Sequence, residues 1–533
     1  MKRNSWHYRV RLLSLLVVLV LVPLLTGFQP NKGPKPIEVQ ILGVNDFHGQ
    51  LNVTGQVDGE TVGRADYLAA YVKKYRKQNP HTLLVHAGDM VGASPPVSSL
   101  LMDEPTIEIL NKMRFDVGTL GNHEFDRGVK EMKRLIDGGY HPETGYFSGA
   151  KFPYTVANVI DEKTKKPILP PFVIKRIQGI PIAFIGVVTK ETPTIVAPSG
   201  VEGVEFIDEV EAINREVAKL KKKGIRAIVI LAHEGGVQDN EGNVTGPIAD
   251  IARKVDDEVD VIISGHTHTR INAMIDGKLV VQSHDYGKAF SKIDLTLDRR
   301  SKDIVTKNAT IIKTAHNGIK PDRQIAKMVE GYEKEVAPII NRKVGEAAHP
   351  ITREQNAHGE SALGNLIADA QRWKMEADFS FMNPGGIRHD IAAGEVTWGD
   401  LYNVQPFNNQ MVTLQLTGDQ IRRLLNQQWQ GETTRMLQIS GLTYTWDGTK
   451  PVGERIVTIQ KADGTPVEPN AVYTVAVNAF LADGGDNFTV LTEGTNRVVG
   501  PVDLDALVDY IKQLPQPFSA EIEGRILQVE NET

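Results

Sequence analysis

Five short motifs carry the residue types that bind divalent cations: Asn45-Asp46-Phe47-His48, Gly88-Asp89, Gly121-Asn122-His123-Glu124, His233-Glu234 and Gly265-His266-Thr267-His268. Two cations a few ångströms apart need a carboxylate that can bridge them. Neutral imidazoles and amide oxygens then complete each shell without accumulating negative charge. Asp46 and His48, two apart on a segment that reads as extended, would point the same way and chelate one ion. Asp89, alone after its strand, is the natural bridge. Gly88, Gly121 and Gly265 precede candidate ligands, where glycine allows close backbone approach or positive φ. His123 and Asp126 form a further pair. A carboxylate bonded to one ring nitrogen favours the imidazolium and leaves the other nitrogen to donate toward a leaving oxygen. The competing role for Asp126 is a cap on the next helix. The chain has no cysteine, which removes disulfides, thiolate zinc sites, iron–sulfur clusters and thiol nucleophiles. Two such ions sharing a hydroxide would suit attack on an ester of phosphorus with no covalent enzyme intermediate.

Residues so far apart must be gathered by the fold. Compact β-branched runs at 37–44, 82–86, 117–120, 182–188, 225–232, 259–264 and 279–282 read as buried strands. Helical patterns lie between them at 64–78, 105–113 and 209–223. This alternation implies an α/β domain. Every candidate ligand falls at or just beyond the carboxyl end of a strand, the edge where α/β sheets gather their ligands. A connecting helix is expected within 321–344, where Ile325, Met328, Val329, Tyr332, Val336 and Ile339 recur at helical spacing. A second module follows over 345–529, with a helix at 362–375 and strands at 412–416, 437–446 and 473–478.

That module has its own candidates. In Asn383-Pro384-Gly385-Gly386-Ile387-Arg388 the paired glycines would let a turn approach a ligand while the Arg388 guanidinium forks onto its phosphate. Phe407 and Phe480 both sit beside turn-forming sequence, and two facing rings could sandwich a flat base. Phe488, close by, reads as core.

Composition bounds the partners. The 533 residues are 41% hydrophobic and 24% charged with a formal charge of −6, so no basic surplus marks a surface for polymeric nucleic acid. Lys2, Arg3, Arg9 and Arg11 precede an apolar run at 12–25, and residues 1–30 read as a signal peptide and spacer. Removing these four cations, with no acid among those residues, would take the charge from −6 to −10. The expected location is therefore secreted or extracytoplasmic, with membrane contact only through the signal; whether it is cleaved or kept as an anchor stays open. No cysteine follows the apolar run for lipid attachment, and residues 528–533 show no hydrophobic tail.

The ordered metal motifs resemble those of the calcineurin-like metallophosphoesterases. Together with Gly359-Glu360-Ser361-Ala362-Leu363-Gly364-Asn365-Leu366, Asn383 to Arg388, Gln405-Pro406-Phe407 and the run from Asn478 to Asp486, the chain resembles the 5'-nucleotidase family. The resemblance includes its bifunctional UDP-sugar hydrolase/5'-nucleotidases. It implies a four-layer αββα domain over 37–320 and a smaller α/β nucleotidase domain over 345–529. It implies two divalent ions (zinc, manganese or similar), one held by Asp46, His48, Asp89 and His268 and the other by Asp89, Asn122, His233 and His266. It also implies the His123–Asp126 dyad, Asn383 at the base edge and Asp486 at the ribose hydroxyls of a nucleotide substrate. Two departures stand out. His268 occupies a position where the family often has an amide. Many members carry an additional arginine where this chain reads Asn356-Ala357-His358; Arg353 lies out of place, and His358 is the nearby substitute. The alternatives are a 2',3'-cyclic-nucleotide 2'-phosphodiesterase/3'-nucleotidase, a thiosulfate-ester hydrolase, and a catalytically silent cell-surface nucleotide-binding protein.

Overall fold

The computed structural model describes residues 35–529 apart from Glu432. The signal-peptide expectation for residues 1–30 lies outside the described residues. The N-terminal domain is built on β1 (Ile37–Val44), β2 (Thr82–His86), β3 (Val117–Thr119), β4 (Tyr154–Thr155), β5 (Phe172–Ile177), β6 (Ile180–Val188), β7 (Ala227–His233), β8 (Val261–Ser264), β9 (Arg270–Ile275), β10 (Lys278–Ser283), β11 (Ala289–Leu297) and β12 (Ile304–Lys313). They form two six-stranded sheets, ordered β12-β11-β1-β2-β3-β4 and β5-β6-β7-β8-β10-β9. β1 to β4 run parallel in the first, as do β6, β7, β8 and β10 in the second. Three of the four sheet edges are antiparallel, at β11–β12, β5–β6 and β9–β10, whereas the edge strand β4 is parallel to β3.

The sheets pack face to face. Ile41, Val85, Val117, Phe184, Val229, Ile263 and Ile293 meet in one buried layer between them. Helices α1 (Ala65–Gln78), α2 (Glu104–Met113) and α3 (Gly128–Asp137) lie outside the first sheet, and α4 (Glu209–Lys222) and α5 (Pro247–Lys254) outside the second, each closing a further core. This is the αββα layering. It explains why all nine residues of β6 and all seven of β7 are buried: side chains on one face meet the other sheet and those on the opposite face meet helices, so neither face can be polar. Each fully buried Ile or Val contributes roughly 1.5–3 kcal/mol, a strong constraint on the register that fixes the strand ends.

Helix α6 (Arg323–Ile340) joins the modules. Asp322 caps it, accepting from the amides of Gln324 and Ile325. In the second module α7 (Ala362–Met375), capped by Ser361, packs on β13 (Phe379–Met382) and its neighbours. With β14 (Gln410–Thr417), β15 (Gln438–Ser440), β16 (Leu442–Trp446), β17 (Val472–Asn478) and β18 (Thr495–Val502), the main sheet is ordered β15-β13-β17-β14-β18. The expected single strand over 437–446 is two strands, and β16 belongs to a separate three-stranded sheet. Gly441 divides them: its φ is +85°, and a Cβ there would lie 2.1 Å from the Asp378 carbonyl oxygen.

Candidate active site

The ends of β1, β2, β3, β7 and β8 converge on one edge of the N-terminal domain, and the candidate ligands meet there. Three sets of ligand atoms lie within 4.8 Å of one another: Asp46, His48 and His268; Asp89, His233 and His266; and His48, Asp89 and His123. His233 Nε2 is 3.1 Å from Asp89 Oδ2 and 3.1 Å from Asn122 Oδ1. His268 Nε2 is 3.5 Å from Asp46 Oδ1. The segment carrying Asp46 and His48 is not extended as expected. Both residues are left-handed, with φ of 48° and 47°, and Asp89, His266 and His268 also have positive φ. Non-glycine residues in that region cost on the order of 1–3 kcal/mol each. Here tight turns at the strand ends, rather than strand alternation, turn the side chains inward.

Glycine closes the same turns. Gly88 has φ of +87°, and a Cβ there would lie 2.6 Å from the Gly121 amide nitrogen; one on Gly121 would lie 2.1 Å from Asp89 Oδ1. The β2 and β3 loops can therefore touch backbone to backbone beside Asp89.

His48, His233 and His268 are each aimed through the far nitrogen. His48 Nδ1 donates to the Gly92 carbonyl oxygen and His233 Nδ1 to that of Ala87, both at 2.9 Å. Asp285 Oδ2 lies 3.3 Å from His268 Nδ1. These partners fix the tautomer and present Nε2 to the centre, the usual support of a metal-binding histidine. His48 Nε2 is buried without a hydrogen-bond partner. A buried polar atom left unpaired is costly, and a divalent cation between His48, Asp89 and Asp46 would satisfy it. The residues present fit such ions.

Burial pushes His48 down to about 3 and His266 down to about 4, so both stand ready as neutral ligands. Burial works against charge on His233 too, but the Asp89 carboxylate outweighs it and lifts the imidazole to about 10. The same contest, with Asp285 and Asp46 on the other side, lifts His268 to about 10. Asp89, which burial would raise, is held well below the usual carboxylate range by His233 and His123. The carboxylates that raise these two imidazoles are the same groups that would attract cations, so metal binding and protonation of His233 and His268 would compete.

His123 Nδ1 is 2.8 Å from Asp126 Oδ2. Asp126 is not the cap of α3, which starts after Arg127 without a side-chain cap. Burial lowers the His123 pKa, but Asp126 and then Asp89 more than reverse this. Its ring faces Phe407 across the cleft, stacked at 5.9 Å.

A cavity of about 300 Å³ lies between the two modules. Asn122, His123 and His266 bound it on one side, and Asn383, Arg388, Phe407, Phe480 and Asp486 on the other. Asn383 Nδ2 donates to Asp486 Oδ2 at 2.8 Å, and Asn478 Nδ2 to Asn383 Oδ1 at 3.0 Å. The Arg388 guanidinium lies 5.9 Å from the Phe407 ring centre. Phe488 is fully buried in the core of the second module. His358 does not face the cleft: its Nδ1 accepts from the Gln528 amide and its carbonyl from Trp446. Arg353, out of place in the sequence, instead lines cavities beside Arg388.

Three contributors escaped the motif reading. Glu124 accepts from the amides of Asp89 (2.9 Å), Met90 (2.9 Å) and Gly121 (2.5 Å), tying the β2 and β3 loops together. Its place inside a ligand motif was the available signal. Asp285 orients His268 and pairs with Lys288 at 2.8 Å. Arg435 lines the cavity 3.5 Å from Asp486. Neither Asp285 nor Arg435 lies in a motif whose spacing betrays it.

The αββα core and this clustered donor set define a metallophosphoesterase carrying a second, ligand-facing domain. Residues 39–270 match the calcineurin-like phosphoesterase family, and residues 343–493 match the 5'-nucleotidase C-terminal domain. The chain belongs to the 5'-nucleotidase family, whose first domain is of the calcineurin-like phosphoesterase kind. It is 44% identical over 501 residues to endonuclease YhcR of Bacillus subtilis, covering 92% of this chain but 41% of that protein. Cell wall protein Lmo0130 of Listeria monocytogenes is 34% identical, covering 94% of this chain and 70% of that protein. The crystal structure of a 5'-nucleotidase precursor from Thermus thermophilus aligns with a TM-score of 0.80 at 28% identity, covering 93% of this chain and all of that one. Among the described residues, no helix is long and apolar enough to cross a membrane.

Proposed function

We propose that this chain is an exported phosphohydrolase that removes phosphate from 5'-nucleotides at a two-ion centre, with UDP-sugars as further substrates. Asp46, His48, Asp89 and His268 would hold one ion, and Asp89, Asn122, His233 and His266 the other. Bound divalent ions would supply Lewis acidity toward the phosphoryl oxygens and make an attacking water more acidic.

The chain's own residues account for the rest. Phe407 and Phe480 take the base between them, Asn383 meets its edge and Asp486 accepts from the ribose hydroxyls. Arg388 holds the phosphate by a charge-assisted contact. With Nδ1 engaged by Asp126, His123 has Nε2 free to donate a proton to the departing oxygen. What carries the reading is the shared cavity: the metal-ligand candidates Asn122 and His266 face Phe407, Phe480 and Asp486 across about 300 Å³. Export rests on the charged and apolar pattern of residues 1–30 and on the likeness to a cell wall protein and a nucleotidase precursor.

The test is a panel of 5'-mononucleotides, 2',3'-cyclic nucleotides and UDP-sugars with zinc, manganese and other divalent metals, following phosphate and nucleoside. Phosphate release is expected fastest from 5'-mononucleotides. A preference for cyclic substrates would replace this reading with the cyclic phosphodiesterase one. No release from any nucleotide would leave a binding protein.

A further inference from the structure

Asp486 sits on a strained turn that a separate hairpin braces. Gly484, Asp486 and Asn487 all have positive φ, at 88°, 53° and 61°, a region that disfavours side chains. The brace is the short hairpin in which Trp429–Gln430 pairs with Thr433–Thr434. Gln430 Nε2 donates to the Asp486 carbonyl oxygen at 2.7 Å, and Gln430 Oε1 accepts from Arg435 Nη1 at 2.9 Å. Arg435 is anchored through its own amide, which donates to the Gln428 carbonyl oxygen at 2.8 Å. Its guanidinium lies in the cavity wall with Nε 3.5 Å from Asp486 Oδ1. The two oxygens of Asp486 are therefore used differently. Oδ2 accepts from Asn383 Nδ2 at 2.8 Å. Oδ1 has a cation beside it at a distance too long for a good hydrogen bond, so it keeps acceptor sites for a ligand. Burial pushes the Asp486 carboxyl up, and Arg435, then Asn383, work against that rise. Asp483, three residues earlier, is paired with Arg497 at 2.5 Å.

A carboxylate that reads sugar hydroxyls must accept, and it does so best when charged. We propose that Arg435, braced by Gln430, is a positioning residue for sugar selection: it fixes the Asp486 carboxylate with Oδ1 open to the ribose hydroxyls, so that ribonucleotides are favoured over nucleotides lacking the 2' and 3' hydroxyls. The inference rests on the nucleotide reading above and names the sugar which that reading leaves unspecified. Arg435 acts through Asp486 and touches neither the reacting phosphate nor the base. A guanidinium suits the task because it stays charged and its planar fork can bond Gln430 through one nitrogen while facing Asp486 through another. Gln430 ties both ends of the device, since one amide group holds the Asp486 backbone and the Arg435 side chain.

The experiment compares the wild-type, metal-loaded protein with Arg435→Gln, Arg435→Lys and Gln430→Leu. Substrates are the 5'-monophosphates of adenosine and uridine and their 2',3'-dideoxy analogues, which keep base and phosphate and lose the hydroxyls. Calorimetric binding of adenosine and dideoxyadenosine to chelator-treated protein reads the same preference without turnover or phosphate. Wild type is expected to favour the ribonucleotides by about tenfold or more in kcat/KM, because a site built to bond a hydroxyl rejects the analogue without it. Arg435→Gln should lower kcat/KM for the ribonucleotides by about tenfold, mainly through KM, and leave the dideoxy analogues within about twofold. Arg435→Lys, which keeps the charge, should restore much of the preference, and Gln430→Leu should lose part of it. A ribose preference that persists unchanged in Arg435→Gln overturns the role of Arg435 and leaves the nucleotide reading standing. Equal losses on both sugars overturn it as well, showing mere structural support. Equal turnover of both sugars by wild type removes sugar selection and with it the proposal. No turnover of any nucleotide by wild type overturns the nucleotide reading and this inference together.

Discussion

The two walls of the cleft are built differently. On the N-terminal wall Asp46, His48, Asp89, Asn122 and His233 are buried, and His48 and His233 are each aimed by a carbonyl behind them. On the C-terminal wall Arg388, Phe407 and Phe480 are only half-buried. Asn383 and Asp486 are buried but bonded to each other. The first wall is preorganised, with strained turns and glycine contacts holding donors that have little other use. The second presents side chains that can yield to a ligand. Positional error in the first disables the chemistry, whereas error in the second changes which substrate is held.

The sharpest way to break this contrast is Asp89→Asn. Asp89 belongs to two of the three donor sets and accepts from the His123 amide at 2.9 Å. Losing its negative charge would remove the proposed bridge while keeping the shape. Phosphate release is expected to fall by at least about 10³-fold, with circular dichroism and melting of the chelator-treated protein showing an intact fold. Undiminished turnover in Asp89→Asn would remove Asp89 from the bridging role.

His123→Ala sharpens the same wall. Its ring is half-buried and faces Phe407, and so touches both sides of the cleft. A proton donor to the leaving oxygen is worth about 10²-fold or more. The loss should therefore be large for nucleotides and small for an aryl phosphate, whose departing oxygen needs no proton. Equal losses on both would assign His123 to metal or phosphate binding instead. The split between substrates distinguishes proton donation from mere support.

The same contrast governs what could be read in the sequence. The metal wall was legible because strand-end placement gathers residues of unusual type, and His233, the last residue of a wholly buried strand, has a single direction in which to point. Turn geometry was not legible. Asp46 and His48 converge through left-handed backbone rather than strand alternation, and ordinary propensities carry no sign of that. Arg353 and His358 show the limit on the other wall. Their places in the chain suggested His358 as the substitute for a missing arginine, yet His358 turns toward Gln528 while Arg353 reaches the cleft. Loop paths there are set by contacts remote in sequence. Likewise the expected strand over 437–446 breaks at Gly441 because the Asp378 carbonyl comes too close for a side chain.

Phe480→Ala tests the yielding wall and should give the smallest effect. Stacking of a base on an aromatic ring is worth about 1–3 kcal/mol, and Phe407 would still cover one face. A rise in nucleotide KM of about tenfold is expected, with kcat nearly unchanged, because the contact holds ground state and transition state alike. A phosphate ester without a base should not respond. Gly485 makes the site informative: a Cβ there would lie 2.5 Å from the Phe480 ring, so the ring is seated against backbone where it lines the cavity, with its other side on the core of the second module. A fall in kcat with KM unchanged would mean that the ring positions the phosphate for reaction. The C-terminal wall would then be as preorganised as the metal wall it faces.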